Sequence, residues 1–320
     1  MLNRQSLPVF GGQNPYLESG RWHLVTAYRG AVSDKHYQGT APFPELDPGG
    51  PTNRQNQLNL DVWYAASERL NLAVSVPAHV NSFTVKRVPP GSAPGAPPVE
   101  GATRARGLGD VTLRARYWVL PTATARGNVA VSLGVKLPTG RSDVTDDIYG
   151  RTIPVDWSIQ PGDGGWGISS SVAGFTEVRR TTLFASGSYL ANPRNTTGTP
   201  SFFGSLVGRP PVAPNSATDQ FSMQLGAAVR TRAGWPVPSL AWRVEGVPVS
   251  DVFGASDGSR RPGTIQFLEP GLTLARGRHL FTVNVPIRMR VNIKDSPASV
   301  RVEDATVPDL MVMIAHAIRF

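Results

Sequence analysis

The chain has 320 residues, 33 Gly, 29 Pro, no Cys and a formal net charge of +9. It can therefore form one large domain or two ordinary ones, without disulfides or thiolate chemistry. Its Lys and Arg are scattered, with no zinc-ligand spacing and no aromatic RNA-binding signature, which argues against a nucleic-acid partner. No stretch approaches the ~20 consecutive apolar residues of a spanning helix.

Residues 1–19 lack the apolar core of a secretory signal. They read as a periplasmic extension or a lumen segment of an exported protein whose signal was removed or missed upstream. Beyond them, apolar and polar residues alternate along about twelve segments, the period of a strand whose two faces meet different environments. The segments lie near 20–32, 56–66, 69–82, 108–121, 127–138, 165–178, 180–191, 218–232, 237–248, 263–275, 278–291 and 309–320. In the third, Leu70, Leu72, Val74, Val76 and Ala78 oppose Asn71, Ser75 and His79. In the fourth, Val111, Leu113, Ala115, Tyr117 and Val119 oppose Asp110, Thr112, Arg114, Arg116 and Trp118. The fifth sets Val129, Val131, Leu133, Val135 and Leu137 against Asn128, Ala130, Ser132, Gly134 and Lys136. In the eleventh, Phe281, Val283, Val285, Ile287, Met289 and Val291 share one face.

The connections alternate in length. Ser67 to Glu68, Thr122 to Arg126, Val178 to Arg180, Ala233 to Pro236 and Arg276 to Gly277 are tight; 33–55, 83–106, 139–164, 192–217, 249–262 and 292–308 are long and rich in Pro and Gly. Strands of about ten residues, an even count, short turns on one side and long loops on the other describe an all-β, antiparallel transmembrane barrel of the outer membrane. The whole chain, 1–320, then forms one barrel of about twelve strands, with periplasmic turns, extracellular loops and both ends in the periplasm. A soluble sandwich has shorter strands and no such alternation of connections.

Charge fixes which face looks inward. An Arg or Lys on the lipid side costs roughly 2–4 kcal/mol near the bilayer midplane, so Asp61, Asp110, Arg114, Arg116, Lys136, Arg230, Arg243, Glu245, Arg288 and Arg290 are expected to line the lumen. They could form a field that selects solutes, or a network of pairs that stiffens the wall. Parity also turns Trp63, Trp118, Phe175 and Phe184 inward, as an aromatic patch, an interfacial girdle or lumen packing. An open edge in hydrocarbon is forbidden by its unpaired backbone groups, so the last strand must pair with the first. Its Ile314, Ile318 and terminal Phe320 share a face and resemble the signal read by the barrel-assembly machinery; His316 departs from that signal by placing an ionisable ring there.

Catalysis has little to build on. The best constellation, His79 with Asn81 and Ser82, puts base and nucleophile on opposite faces, so no catalytic residues are assigned and the chain reads as a non-enzyme. Asp143, Asp146 and Asp147 lack regular cation-loop spacing. No metal or cofactor is expected.

Gly107, Leu108, Gly109 and Asp110, followed by Thr112, Leu113, Ala115, Arg116 and Tyr117, resemble a strand opening of the MetA-pathway of phenol degradation family. Two further hallmarks of that family follow: Lys136, Leu137, Pro138, Thr139 and Gly140, then Pro161 to Gly164 with Trp166. The resemblance is strongest over 107–191. It implies an outer-membrane location and a role in moving hydrophobic or aromatic compounds, with no site residues to carry over. The glycines and prolines of these motifs sit where strands meet long loops, so they are expected to anchor loops over the barrel mouth. The partners expected are outer-membrane lipid, the assembly machinery and a small-molecule solute, taken up passively through a channel. A closed structural or adhesion barrel is the alternative, followed by a lipid-modifying enzyme.

Overall fold

The computed structural model describes residues 16–44, 50–123, 125–208, 212–296 and 304–320. The wall begins with β1 (Trp22–Gln38), a short β2 (Ala41–Pro42), β3 (Thr52–Ala65), β4 (Leu70–Arg87), β5 (Val99–Leu108), β6 (Thr112–Trp118) and β7 (Gly127–Lys136). The next loop carries its own hairpin, β8 (Thr145–Ile148) and β9 (Arg151–Pro154). After β10 (Gly167–Val178) and β11 (Thr181–Ala191), another loop holds β12 (Thr196–Pro200), the helix α1 (Phe202–Val207) and β13 (Pro214–Ser216). The wall is completed by β14 (Gln220–Val229), β15 (Val237–Val247), β16 (Gly263–Arg276), β17 (His279–Asn284), β18 (Ile287–Ile293) and β19 (Asp304–Arg319).

Successive wall strands pair antiparallel, and β19 returns to pair with β1, from His23 opposite Arg319 to Gln38 opposite Asp304. The Phe320 N–H donates to the Trp22 carbonyl at the end of that seam. Because β5 and β6 share the partner β4, and β17 and β18 share β16, each pair is one interrupted wall strand, giving a closed barrel of 12 strands. Closure leaves no edge to be solvated, the condition for a sheet in hydrocarbon.

The outer face is inverted relative to a soluble protein. Leu58, Leu60, Leu72, Val74, Leu113, Val131, Leu225, Leu240, Leu272 and Val283 all stand exposed, and Leu133 is 67% accessible. A continuous apolar belt of this kind far exceeds the few hundred Å² tolerated on a water-facing surface. The small residues and charges alternating with it are buried inside.

Several expected boundaries move. β1, β3, β4 and β19 run beyond the belt, and β5 lies in what reads as a loop, so the wall rises as a collar on the long-loop side. The expected strand 108–121 is broken at Gly109 to Val111. β5 turns odd residues such as Thr103 and Ala105 inward, whereas β6 turns Thr112, Arg114, Arg116 and Trp118 inward, so the break inserts one residue and switches parity. The expected strand 278–291 is broken at Val285 and Pro286. A bulge then sets Arg288 opposite Phe267 and Arg290 opposite Gln266, which returns Val291 to the inner face, against the outward place that strict alternation gives it.

Above the belt, the loops build a small apolar core of their own. Phe83, Val85 and Ala105 from the β4–β5 collar pack against Ile148, Ile153, Val155, Ile159, Phe202 and Leu206. The helix α1 fits here because its chain reverses at Gly208, at φ 69, whose N–H caps the Gly204 carbonyl. A second cluster, including Ile265, Phe267, Val291, Ile293, Val307 and Met311, fills the opposite inner wall near the mouth.

Candidate functional site

The inner face has three levels. At the short-turn end, taken as periplasmic, Trp118 of β6 and Phe175 of β10 lie 6.2 Å apart, edge to face. Tyr16, which precedes β1, enters between them, 4.9 Å from Trp118 and 5.8 Å from Phe175. Phe184 packs beside Phe175 with Ala228, Val237 and Ala241. Trp63 stands apart from this group. The Arg116 and Arg114 guanidiniums lie 4.2 and 5.8 Å from its ring centroid, so its face serves cations rather than aromatic neighbours. At the inner rim, Arg230 pairs with Glu177 at 2.8 Å, half exposed.

The middle level is charged on two sides. On β3 and β6 the inward row presents Asp61, Arg114 and Arg116. Opposite, Arg243 of β15 bonds Glu269 and lies 3.5 Å from Glu245, which also holds Arg29 at 2.5 Å; Gln224 donates to Glu269 at 3.0 Å. This second group is a compensated network: Glu245 is fully buried, and Arg243 and Glu269 nearly so. Between the two sides the wall is made of small residues, Ser132 and Gly134 of β7, Ser169, Ser171 and Ala173 of β10, Ser186 and Ser188 of β11 and Ser222 of β14.

The upper level joins the three motifs. Lys136, the last residue of β7, is shared by Asp110, at 3.4 Å, and Asp163. Asp110 also accepts the Gly140 N–H at 2.9 Å and the Asp163 N–H at 3.2 Å. Thr139 Oγ1 donates to the Gly109 carbonyl and accepts from the Val111 N–H, both at 2.9 Å. The strand break thus turns Asp110 toward the loop 137–166 and pins it across the mouth. Beneath the pin lies a cavity of about 50 Å³, lined by Asn59, Ser75, His79, Arg114, Lys136 and Asp163 among others.

Glycine is required here by close approach. A Cβ on Gly140 would sit 2.9 Å from both the Gly109 and Gly162 Cα atoms, all backbone with nowhere to move. Gly140→Ala is therefore expected to destabilise the barrel by about 1–3 kcal/mol, read as a fall in its urea midpoint. At Gly187 the nearest atom would be 4.0 Å away, so Gly187→Ala should leave the midpoint almost unchanged.

Some expectations need correction. Arg290 stands exposed on the outer face, because the bulge in β18 shifts its parity. Arg288 turns inward at the mouth, where it bonds Asp309, Tyr37 and the Pro308 carbonyl. Asp143, Asp146 and Asp147 go separate ways: to Arg141 at 3.1 Å, to the Arg104 N–H at 2.8 Å and to Thr152 at 2.5 Å. Among the described residues no group of three acidic or His side chains converges as a metal site. His79 and Asn81 are buried inside, while Ser82 lies on the other face of β4. Ile314 and Phe320 are exposed on the outer face with Ile318 between them, and His316 stacks there on Phe281 at 4.5 Å and meets His279 at 3.0 Å. Residues 1–15 of the expected extension lie outside the described residues.

Sequence reasoning missed Arg29, Gln224, Glu269 and Asp163. Arg29 and Glu269 occupy strands whose alternation is weak, and Asp163 lies in a loop, where parity says nothing; its motif, Pro161 to Gly164, was the available signal.

The sequence matches no protein-family model and no curated protein. Among solved structures, an outer-membrane channel from Pseudomonas putida F1 superposes over 95% of this chain and 97% of its own, with a TM-score of 0.62 at 12% identity. The toluene transporter TbuX of Ralstonia pickettii covers 96% and 92%, with a TM-score of 0.44 at 11% identity. The translocator domain of the autotransporter NalP from Neisseria meningitidis covers 94% and 89%, with a TM-score of 0.47 at 11% identity. The likeness is one of fold. What this chain does must be argued from its own lumen.

Proposed function

We propose that the protein is an outer-membrane channel for passive uptake of small molecules, aromatic compounds among them. The observation that carries this reading is the wall of Ser, Ala and Gly on β7, β10, β11 and β14, which faces the charged and aromatic residues of β3 and β6. A purely structural barrel of about this strand number gains stability by filling its interior with interlocking side chains; the side chains of this wall do not reach across. The resemblance of the three converging motifs to the phenol-degradation transporter family supports the same reading, as does the aromatic lining near the periplasmic end. The loop 137–166 then acts as the constriction, and solutes pass where it stands clear.

The packed mouth favours a second reading, a closed structural or adhesion barrel. Conductance separates the two. The refolded chain in a planar bilayer is expected to give discrete single-channel currents, and liposomes containing it should take up phenol or toluene faster than empty ones. No conductance together with no uptake would sink the channel.

A further inference from the structure

The lumen beside β6 is built for more than a neutral aromatic ring. Arg114 and Arg116 lie two residues apart on one inward row, both over the face of Trp63, and the inward row of β3 and β6 at this level offers them one carboxylate, Asp61. Among the described residues of that row the sum is one net positive charge, outside the compensated Arg243 network. Directly across from Arg116 stands Asn71, 1% exposed, with neither its amide oxygen nor its amide nitrogen hydrogen-bonded. Two residues below, Trp118 is fully buried and its indole N–H also lacks an acceptor. Buried polar groups are ordinarily paired. Here two donors of different chemistry stand unpaired on the strands that carry the two guanidiniums and their neighbour β4, with the small residues Ser132 and Ala130 opposite.

We propose that this place binds the carboxylate of a monoanionic aromatic acid, with the guanidiniums and the Asn71 amide on the carboxylate and the ring over the small residues of β7. The inference rests on the channel reading and narrows its substrate class. Planar guanidiniums suit carboxylates geometrically, and a guanidinium plane also stacks on aromatic rings, which adds selectivity for a ring. Arg114 also lines the cavity under the loop pin, so the place adjoins the space below the loop.

The test is equilibrium titration of the refolded full chain with benzoate, benzyl alcohol and acetate, followed by calorimetry. Benzoate should bind at least about tenfold more tightly than either the neutral ring or the charge without a ring. Arg116→Gln should weaken benzoate by about tenfold or more. Ser132→Asp, on the strand paired with Arg116, should do the same by supplying an internal carboxylate, and it leaves both arginines in place should Arg116→Gln fail to fold. Equal binding of benzoate and benzyl alcohol, equal binding of benzoate and acetate, or indifference to Ser132→Asp would each overturn the proposal. Because the titration needs no current, its failure in a conducting barrel defeats this inference alone, and a barrel that binds benzoate without conducting defeats only the channel reading.

Discussion

Replacing Lys136 with methionine should free the loop that crosses the mouth: single-channel currents are expected to grow and closed intervals to shorten. In the native barrel this ammonium is the cation between Asp110 and Asp163, and those carboxylates are themselves largely buried. Removing one partner of a buried ion pair while leaving the other costs roughly 3–5 kcal/mol, and here two carboxylates lose their shared counter-charge. The wall below has its own ladder of hydrogen bonds, so the penalty falls on the contact between loop and strand break. Lys136→Met combined with Asp110→Asn and Asp163→Asn removes the repulsion and should return part of the lost stability while the loop stays loose. Unchanged currents in the single variant would show that the pin does not hold the constriction.

The second large effect is structural. Arg243→Met leaves Glu245 and Glu269 in the barrel interior without the guanidinium between them. A cost of roughly 3–5 kcal/mol is expected, a large part of the ~5–15 kcal/mol that separates folded from unfolded chains. Arg29 still reaches Glu245 at 2.5 Å, so Glu269, left with the neutral Gln224 amide, is the group that loses its counter-charge. The double variant Arg243→Met with Glu269→Gln should recover most of the loss, measured as urea midpoints in a double-mutant cycle. Additive effects of the two substitutions would mean that the short contact between them is not what holds this side of the wall.

The barrel was legible in the sequence because lipid imposes a harsh rule on parity. Along Val129 to Leu137 every second residue must be apolar, and the ladder of β7 follows the same alternation. The rule ends where the belt ends. Above it, collar strands such as β5 face water or loop, so their alternation carries no penalty and 83–106 reads as a loop. Parity also fails at breaks, because it counts residues and cannot see a bulge; Arg290 was misplaced for that reason. The charged residues of β6 could be read individually, but not their partners. Nothing local to Arg243 indicates that Glu269, a whole strand away, will be its counter-charge, and only the register of β15 against β16 brings them together. The motifs were visible as punctuation; that Gly140 touches both Gly109 and Gly162 is a fact of three dimensions.

The small core over the mouth, from Phe83 and Val85 to Phe202 and Leu206, is sheltered by protein rather than by lipid, so opening it exposes apolar surface to water. Exposure of that kind raises the heat capacity. The free energy of opening is therefore a curved function of temperature, with a maximum and weaker closure on either side. The wall beneath, whose outer side chains meet hydrocarbon whether the mouth is open or shut, contributes no such curvature. The barrel thus joins two materials with different thermal laws, and the temperature at which its mouth is most firmly shut is set by a handful of residues that never touch the membrane.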